Sequence, residues 1–450
     1  MALPRRTLRT VAVIGAFSLV LAACGDDGDD TAAGGGGGDV DCGDYEQYGD
    51  LSGKTVTVFT GIVTPEDALV EQTWAPFEEC TGVDVQGTFD KSFETQILVQ
   101  ARAGNPPDIA IVPQPGLLQQ LVGTGKAVPA SAETEANMDE NFSEDWKELG
   151  TVDGEFYAPP MNANVKSLVW YSPAEFEEGG YEIPTTLDEL KELSDTIAES
   201  GKKPWCAGIS SGEATGWPIT DWMEDMMLRL HGAETFDKWV SHEIPFNGPE
   251  STAALDAVGE FLKNDKYVNG GLGGIDSIAT TTFQDAGLPI LDGNCSLHRQ
   301  ASFYAANWPE GTEVAEDGDV FAFYLPGETE DEKPVLGGGE FLLAFRDAPE
   351  VQALQTFHAS AEWATLAAQA GGGRAVSANK NVDLSECDCS PIDDLSFEIL
   401  QDENAVFRFD GSDAMPAAVG SNSFWKEATN WITGKSTKDT VDAIEASWPK

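Results

Sequence analysis

From Lys54 to Phe59 the chain alternates polar and β-branched or aromatic positions (KTVTVF), the two-residue period of a strand. Thr60-Gly61 ends it. Thr64-Pro65-Glu66-Asp67 then sets a capping threonine, a proline and acids in sequence, which predicts a helix running toward Cys80. Gly82 closes that helix, and Val83 to Val85 opens a second strand. Ser92 to Ala103 reads as a helix, Asn105-Pro106-Pro107 breaks it, and Asp108 to Val112 (DIAIV) forms a nearly continuous apolar run. Such a run suits a strand covered on both faces. Strand, helix, strand, helix, buried strand predicts a parallel α/β layer, with ligand sites beyond the C-terminal ends of the strands.

Farther along, Thr186 to Glu189 (TLDE) is a capping box, followed by Leu187, Leu190, Leu193 and Ile197 at helical spacing and a stop at Gly201. A helix is expected over Trp222 to Leu230, with Met226 and Leu230 on one face and Gly232 beyond it. Asp347-Ala348-Pro349-Glu350 starts a long helix through about Leu366, ended by Gly371-Gly372-Gly373. No internal repeat is evident.

The N-terminus follows another pattern. Arg5, Arg6 and Arg9 precede an apolar run from Thr10 to Ala23, which is short for a membrane span and ends in small residues. Residues 1–23 therefore read as a signal peptide. Leu21-Ala22-Ala23-Cys24-Gly25 has the form of a bacterial lipobox, so Cys24 is the expected lipid attachment site. Residues 24–51 carry GDDGDDTAAGGGGGD, which has little to bury and reads as a lipid-anchored flexible tether. The expected location is outside the cytoplasm, on the outer face of the cell membrane. The remaining length suffices for a large core and two domains.

Charge narrows the partners. The 77 acids against 26 lysines and arginines give a net charge of −51, and removing residues 1–23 takes away three arginines and no acid, giving −54. That field repels nucleic acid and phosphorylated solutes and is indifferent to neutral ones. Seven cysteines become six once Cys24 is lipidated: Cys42, Cys80, Cys206, Cys295, Cys387 and Cys389. An even set outside the cytoplasm suggests disulfides, and spacing alone leaves fifteen connectivities open. Metal-ligand spacing is lacking, so no metal and no cofactor are expected.

Catalytic patterns are weak. Gly208-Ile209-Ser210-Ser211-Gly212 matches a nucleophile elbow by letter, but glycines and Pro218 follow where a helix should start, and helix is expected only near Asp221. Gly53-Lys54-Thr55 has its partner glycine, Gly49, one residue too near for a phosphate loop. A secreted glycoside hydrolase is the remaining enzymatic alternative, since acid pairs beside aromatics also serve that chemistry; in so acidic a chain such pairs carry little weight. The reading is a binding protein and not an enzyme.

Several segments in order point to a family. They are PDIA at Pro107 followed by QPGLLQQLVGTGKAVP, then YAPP at Tyr157, LVWY at Leu168, PTTLDEL at Pro184 and LGGGE at Leu336. Together they resemble the sugar-binding family of bacterial ABC importers, the group that includes maltose-binding proteins. GISSGEATGWPITDWMEDMMLR, HEIPFN, CSLHRQASF and FRFDGSDAMP are similar to its α-glucoside-binding branch, and the likeness runs over 52–450. The resemblance implies a periplasmic-binding-protein-like α/β fold. Two lobes would be joined by a hinge of about three chain crossings, with lobe one at 52–113 plus 341–372 and lobe two at 114–340 plus 373–450. It also implies a neutral oligosaccharide such as maltose or trehalose in the cleft, delivery to ABC permease subunits, and a monomer.

Sugar recognition needs flat aromatic faces for the C–H side of a pyranose and charged or amide groups for its hydroxyls. The residues that fit, given the resemblance, are Asp90, Gln114, Trp217, Asp221, Trp222, Arg299, Gly339, Glu340, Phe341, Arg408 and Asp413. Alternatives stand beside several of them. Trp222 serves equally as a core residue of its helix, Asp90 as a turn or capping residue, and Arg299 as half of a salt bridge. Arg408, Asp410 and Asp413 could pair with one another. With both segments placed in lobe two beside the cleft, Cys206 is expected to pair with Cys295 and hold the aromatic loop near Arg299. Cys42 then pairs with Cys80, leaving Cys387 and Cys389 either bridged in a very small ring or free.

Overall fold

A computed structural model describes residues 41–371, 376–385, 387, 389–402 and 404–449; the expected signal peptide, Cys24 and most of the tether lie outside the described residues. The alternating N-terminal run forms the strand Thr55–Thr60. It pairs in parallel with Asp84–Phe89 on one side and Ile109–Val112 on the other, and Phe341–Ala344 closes that second side antiparallel. All four residues of Ile109–Val112 are buried, as suits a strand with neighbours on both edges. The helices Glu66–Thr81 and Phe93–Ala103 link the parallel strands and end at Gly82 and Gly104 in the left-handed region, where a β-carbon is costly.

A second four-stranded sheet has the order Phe321–Tyr324, Leu168–Tyr171, Cys295–Arg299, Lys203–Trp205. Its core joins Trp205, Trp222, Met223, Met226 and Phe261 with helices from later in the chain. Between the two sheets lies a smaller one, Ala405–Phe409, Lys333–Gly338 and Asn164–Val165. The chain passes between lobes at Asn164–Val165, again from Gly338 to Phe341, and a third time between the helices Ala361–Ala370 and Pro391–Gln401. At the first two crossings Gly337 pairs with Val165 and Gly338 with Asn164, so two connections share one hinge.

The packing moves one expected boundary. Residues following 114, assigned from the resemblance to lobe two, lie on the first sheet. Leu117, Leu118, Leu121 and Ala158 share a core with Phe59, Phe93 and Phe341. Thr134 Oγ1 and Thr356 Oγ1 are 2.8 Å apart, and Asn141 donates to the Ala359 carbonyl at 3.1 Å. The cause is local: the apolar stripe of Pro115–Val122 follows the buried strand at once and folds back on the same layer.

Helix boundaries differ in two places. The helix expected from Trp222 begins five residues earlier, as Trp217–Val240, with Pro218 in its first turn where its missing N–H costs nothing; Gly232 breaks it at φ 74°. The long helix after Asp347 is two, Pro349–His358 and Ala361–Ala370, because Ser360 accepts from Trp363 N at 3.1 Å and starts a new one. One half of the TLDE box forms as its letters suggest, Thr186 Oγ1 accepting from Glu189 N at 3.2 Å, while the Glu189 carboxylate reaches one residue further back and accepts from Thr185 N at 2.8 Å. Disulfides join Cys42 to Cys80, Cys206 to Cys295 and Cys387 to Cys389, with Cα separations of 5.3, 5.8 and 4.9 Å. Among the described residues no helix is long and apolar enough to cross a membrane.

Candidate ligand-binding site

A cavity of about 960 Å³, part of it open to solvent, lies between the lobes. The first lobe supplies Thr60, the last residue of strand Thr55–Thr60, Gly61 and Ile62 just past it, and Gln114, just past Ile109–Val112. Glu94 comes from the first turn of Phe93–Ala103. These are the C-terminal ends of parallel strands, where an α/β layer leaves room for a ligand. The hinge supplies Asn164, Lys166 and Gly338 to Glu340, and the second lobe supplies Trp217, Phe283, Phe303, Asp413 and Trp425. The lobes also approach at the mouth, where a β-carbon on Gly212 would stand 3.3 Å from Lys91 Cβ.

The aromatic side is built around Trp217. Its ring lies 5.0 Å from Phe283 in an edge contact and 6.1 Å from Phe303, and it is half-buried, leaving part of the indole open to the cavity. Gly216 makes that position possible: its φ is 119°, and a β-carbon there would meet the Trp425 carbonyl oxygen at 2.3 Å. Gly339 is constrained in the same way, since a β-carbon would come within 2.3 Å of the Asn162 carbonyl oxygen. Asn162 Oδ1 also accepts from Glu340 N at 3.0 Å, which fixes Glu340 at the cavity edge.

The polar side centres on Lys166. Its Nζ bonds Asp410, lies 3.1 Å from Asp221 Oδ1 and 3.9 Å from Asp413 Oδ2, and sits 5.6 Å from the centre of the Trp217 ring. Burial alone would lower the lysine; the carboxylates of Asp221, Asp410 and Asp413 outweigh it and hold the ammonium well above its ordinary range. Behind it Arg299 bonds Asp225 Oδ2 through Nε at 2.9 Å and Asp221 Oδ2 through Nη1 at 3.1 Å, while Arg229 Nη1 reaches Asp225 Oδ1 at 2.5 Å. Glu224 accepts from the amides of Gly411 and Ser412 at 2.7 and 3.0 Å. Three cations (Lys166, Arg229, Arg299) thus meet five buried acids: Asp221, Glu224, Asp225, Asp410 and Asp413. Burial and the neighbouring Asp410 carboxylate push Asp413 and Glu224 well above the usual carboxylate range. Asp410 goes the other way, because Lys166 more than offsets the cost of its burial. In the other lobe, burial pushes Glu94 up to about 7.

Of the residues expected at the site, Gln114, Trp217, Gly339, Glu340 and Asp413 line the cavity. The others do not. Asp90 is exposed, and its Oδ1 accepts from Ser92 N and Oγ at 2.9 and 2.6 Å, so it closes the turn before a helix. Trp222 is core, its ring 5.1 Å from Trp205 and 5.8 Å from Phe261. Asp221 and Arg299 stand behind Lys166 as its buried counter-charges. Phe341 is fully buried in the first lobe, near Trp146 and Phe409. Arg408 grips Asp237 with two hydrogen bonds, at 2.6 and 2.9 Å, instead of pairing with Asp410 or Asp413. The Cys206–Cys295 bridge is buried in a core cluster with Trp170, Tyr304 and Trp308. Sequence reading missed Lys166, Glu94, Phe283, Phe303 and Trp425. The available signals were a lone lysine beside an apolar strand (NVKSLVWY) and aromatics in otherwise polar segments.

The arrangement suits binding. After Ser210 come the short turn Gly212–Ala214 and then the helix from Trp217, so no helix N-terminus follows that serine at once. Among the described residues no cluster of histidine, cysteine and carboxylates could hold a metal ion.

Comparison with known proteins agrees with this geometry. Residues 60–296 match the family described as bacterial extracellular solute-binding protein. The chain is 40% identical over 420 residues to the alpha-glucosides-binding periplasmic protein AglE of Rhizobium meliloti, covering 90% of this chain and 89% of that one. It is 39% identical over 406 residues to the osmoprotective compounds-binding protein GgtB of Synechocystis, covering 89% and 94%. In fold it is similar to maltose-bound T. maritima MalE3, with a TM-score of 0.68 at 18% identity over 87% of this chain and 98% of the other. On these matches the chain belongs to the bacterial extracellular solute-binding proteins, the non-enzymatic capture components of ABC transporters.

Proposed function

We propose that the cavity captures a neutral α-linked glucoside, such as maltose or trehalose, and that the closed, loaded protein hands it to an ABC permease. One observation carries this reading: Trp217, Phe283 and Phe303 form an aromatic wall in the same interlobe cavity as Gln114, Glu340, Lys166 and Asp413. An indole face packs on the apolar side of a pyranose, and charged or amide groups bond its hydroxyls. Lys166 adds a donor without adding an unbalanced positive charge, because buried carboxylates already surround it. Of the two lysines in the wall, Lys166 is already balanced by carboxylates, and Lys91 stands exposed at the rim. The name of the alpha-glucosides-binding relative supports the same class.

Ligand touching both lobes favours the closed form through its extra contacts there, which is how occupancy would be signalled to the permease. A thermal-shift screen against neutral disaccharides, sugar phosphates and peptides tests the class. A ligand at about 100 times its Kd stabilises by about 2.7 kcal/mol, a readily measured shift in Tm. Stabilisation by maltose or trehalose, and none by sugar phosphates, is expected; a shift with phosphates or peptides alone refutes the reading. We further propose that Cys24 carries a lipid anchor, on the strength of the Leu21–Gly25 motif. Cys24→Ser protein should leave the membrane fraction, and undiminished membrane partitioning would overturn the anchor.

A further inference from the structure

Outside the cavity, on the far side of Glu94 and Trp425, lies a second, wider groove of about 1500 Å³. It is lined from both lobes, by Leu98, Val99 and Arg102 on one side and Ser421, Lys426 and Asn430 on the other. Glu94 and Trp425 are the two residues common to the walls of both spaces. We propose that they form a partition that limits the bound glucoside to the inner cavity and so sets its chain length at about a disaccharide. This rests on the glucoside reading above and deepens it.

Three features make the partition firm. Trp425 is 3% exposed, and its Nε1 donates to Ser412 Oγ at 3.3 Å, so the ring is held in place. Its carbonyl lies where a β-carbon on Gly216 would stand, at 2.3 Å, which locks its backbone to the residue before Trp217. Trp425, the second-lobe half of the partition, is therefore held beside the aromatic wall. Glu94 enters from the opposite lobe, in the first turn of Phe93–Ala103, with its Oε1 3.5 Å from where a β-carbon on Gly61 would stand.

The halves of the partition come from different lobes, so it is complete only when the cleft is closed. That makes closure the length check. A disaccharide inside the cavity leaves Glu94 and Trp425 free to come together and gains the contacts of both lobes. A longer chain has to pass between them, which keeps the lobes apart. A ligand shifts the equilibrium toward closure only by its differential affinity for the closed state, and a long chain loses that difference. The outer groove would then offer a longer glucoside a surface but not an enclosure.

The test is calorimetric titration with maltose, trehalose and maltotetraose of the wild-type protein and of the Trp425→Ala and Glu94→Ala variants. The variants open the partition from opposite lobes, and circular dichroism identifies whichever of them folds. Wild type should bind the better disaccharide at least about tenfold more tightly than maltotetraose. Either folded variant should bring the two affinities several-fold closer by admitting the longer chain. Maltotetraose binding wild type as tightly as the disaccharides refutes the partition on its own, whatever the variants do. So does an unchanged ratio in a folded variant. Binding of disaccharides with no length preference leaves the glucoside reading standing and removes only the partition; binding of no glucoside removes both.

Discussion

Replacing Lys166 by methionine keeps most of the side-chain volume and removes one of three cations facing five buried acids. At an effective dielectric of about 20, a charge pair at 3.1 Å, the Lys166–Asp221 distance, is worth roughly 5 kcal/mol. Much of that attraction offsets the cost of burying the ions, so the net loss is smaller. Removing one partner of a buried pair costs about 3–5 kcal/mol, because the other is left uncompensated. Asp221 keeps Arg299, whereas Asp410 loses its direct cation and keeps Ser412 Oγ and Asp413 N. The loss should therefore fall mainly on Asp410. In the wild type its folded-state pKa lies below the unfolded value, so it contributes stability that is present above about pH 4. In Lys166→Met that pKa rises above the unfolded value, and stability is instead lost as pH climbs from about 4 through the new value. Urea unfolding at pH 5 and pH 8 measures both effects. The expected result is a loss of about 3–5 kcal/mol at pH 8 and distinctly less at pH 5. A loss below about 1 kcal/mol, or equal losses at both pH values, refutes the account of the charge cluster.

Other predictions follow from the same geometry. Trp217→Ala should weaken glucoside binding by about 1–3 kcal/mol, the scale of an aromatic stacking contact, while lowering apo stability less than the about 3–5 kcal/mol of a fully buried Trp→Ala; calorimetry and urea unfolding together separate the two. Glu94 has a folded pKa of about 7 against an ordinary value of 4.5, so it should cost stability as pH rises from about 4.5 to 7, and Glu94→Gln should flatten that part of the wild-type curve. An unchanged pH dependence in Glu94→Gln would place the titration elsewhere. Replacing Cys206 and Cys295 with serine opens a link spanning 89 residues and should cost about 2–5 kcal/mol, read as a lower urea midpoint.

The first parallel layer was legible because its signals are local: alternation in KTVTVF, glycines after helices, and a buried run at DIAIV. The TLDE cap was legible for the same reason. The start of the helix at Trp217 was obscured by Pro218, which reads as a breaker in a glycine-rich stretch although proline is welcome in a first helical turn. The site was harder because its charges meet from far apart. Lys166 meets Asp221 across 55 positions and Asp410 across 244, and nothing local marks them as partners. One clue was present: Asp221, Asp225 and Arg229 repeat every four residues on a helix whose neighbours are largely apolar, the spacing of one helical face. Charges on a face that must be buried imply an ion cluster, and that reading moves Asp221 and Arg299 out of the ligand contacts. The first lobe was undersized for a related reason, since the stripe Leu117, Leu118 and Leu121 shows that a helix packs but not on which sheet.

The most direct test of the central claim is a calorimetric titration of the purified protein with maltose and trehalose, set beside glucose 6-phosphate. The account predicts one-to-one binding of at least one of the neutral disaccharides, with a negative heat-capacity change from apolar burial against Trp217 and its neighbours, and no measurable heat with the sugar phosphate. Tight binding of the phosphate with none of either disaccharide would contradict it.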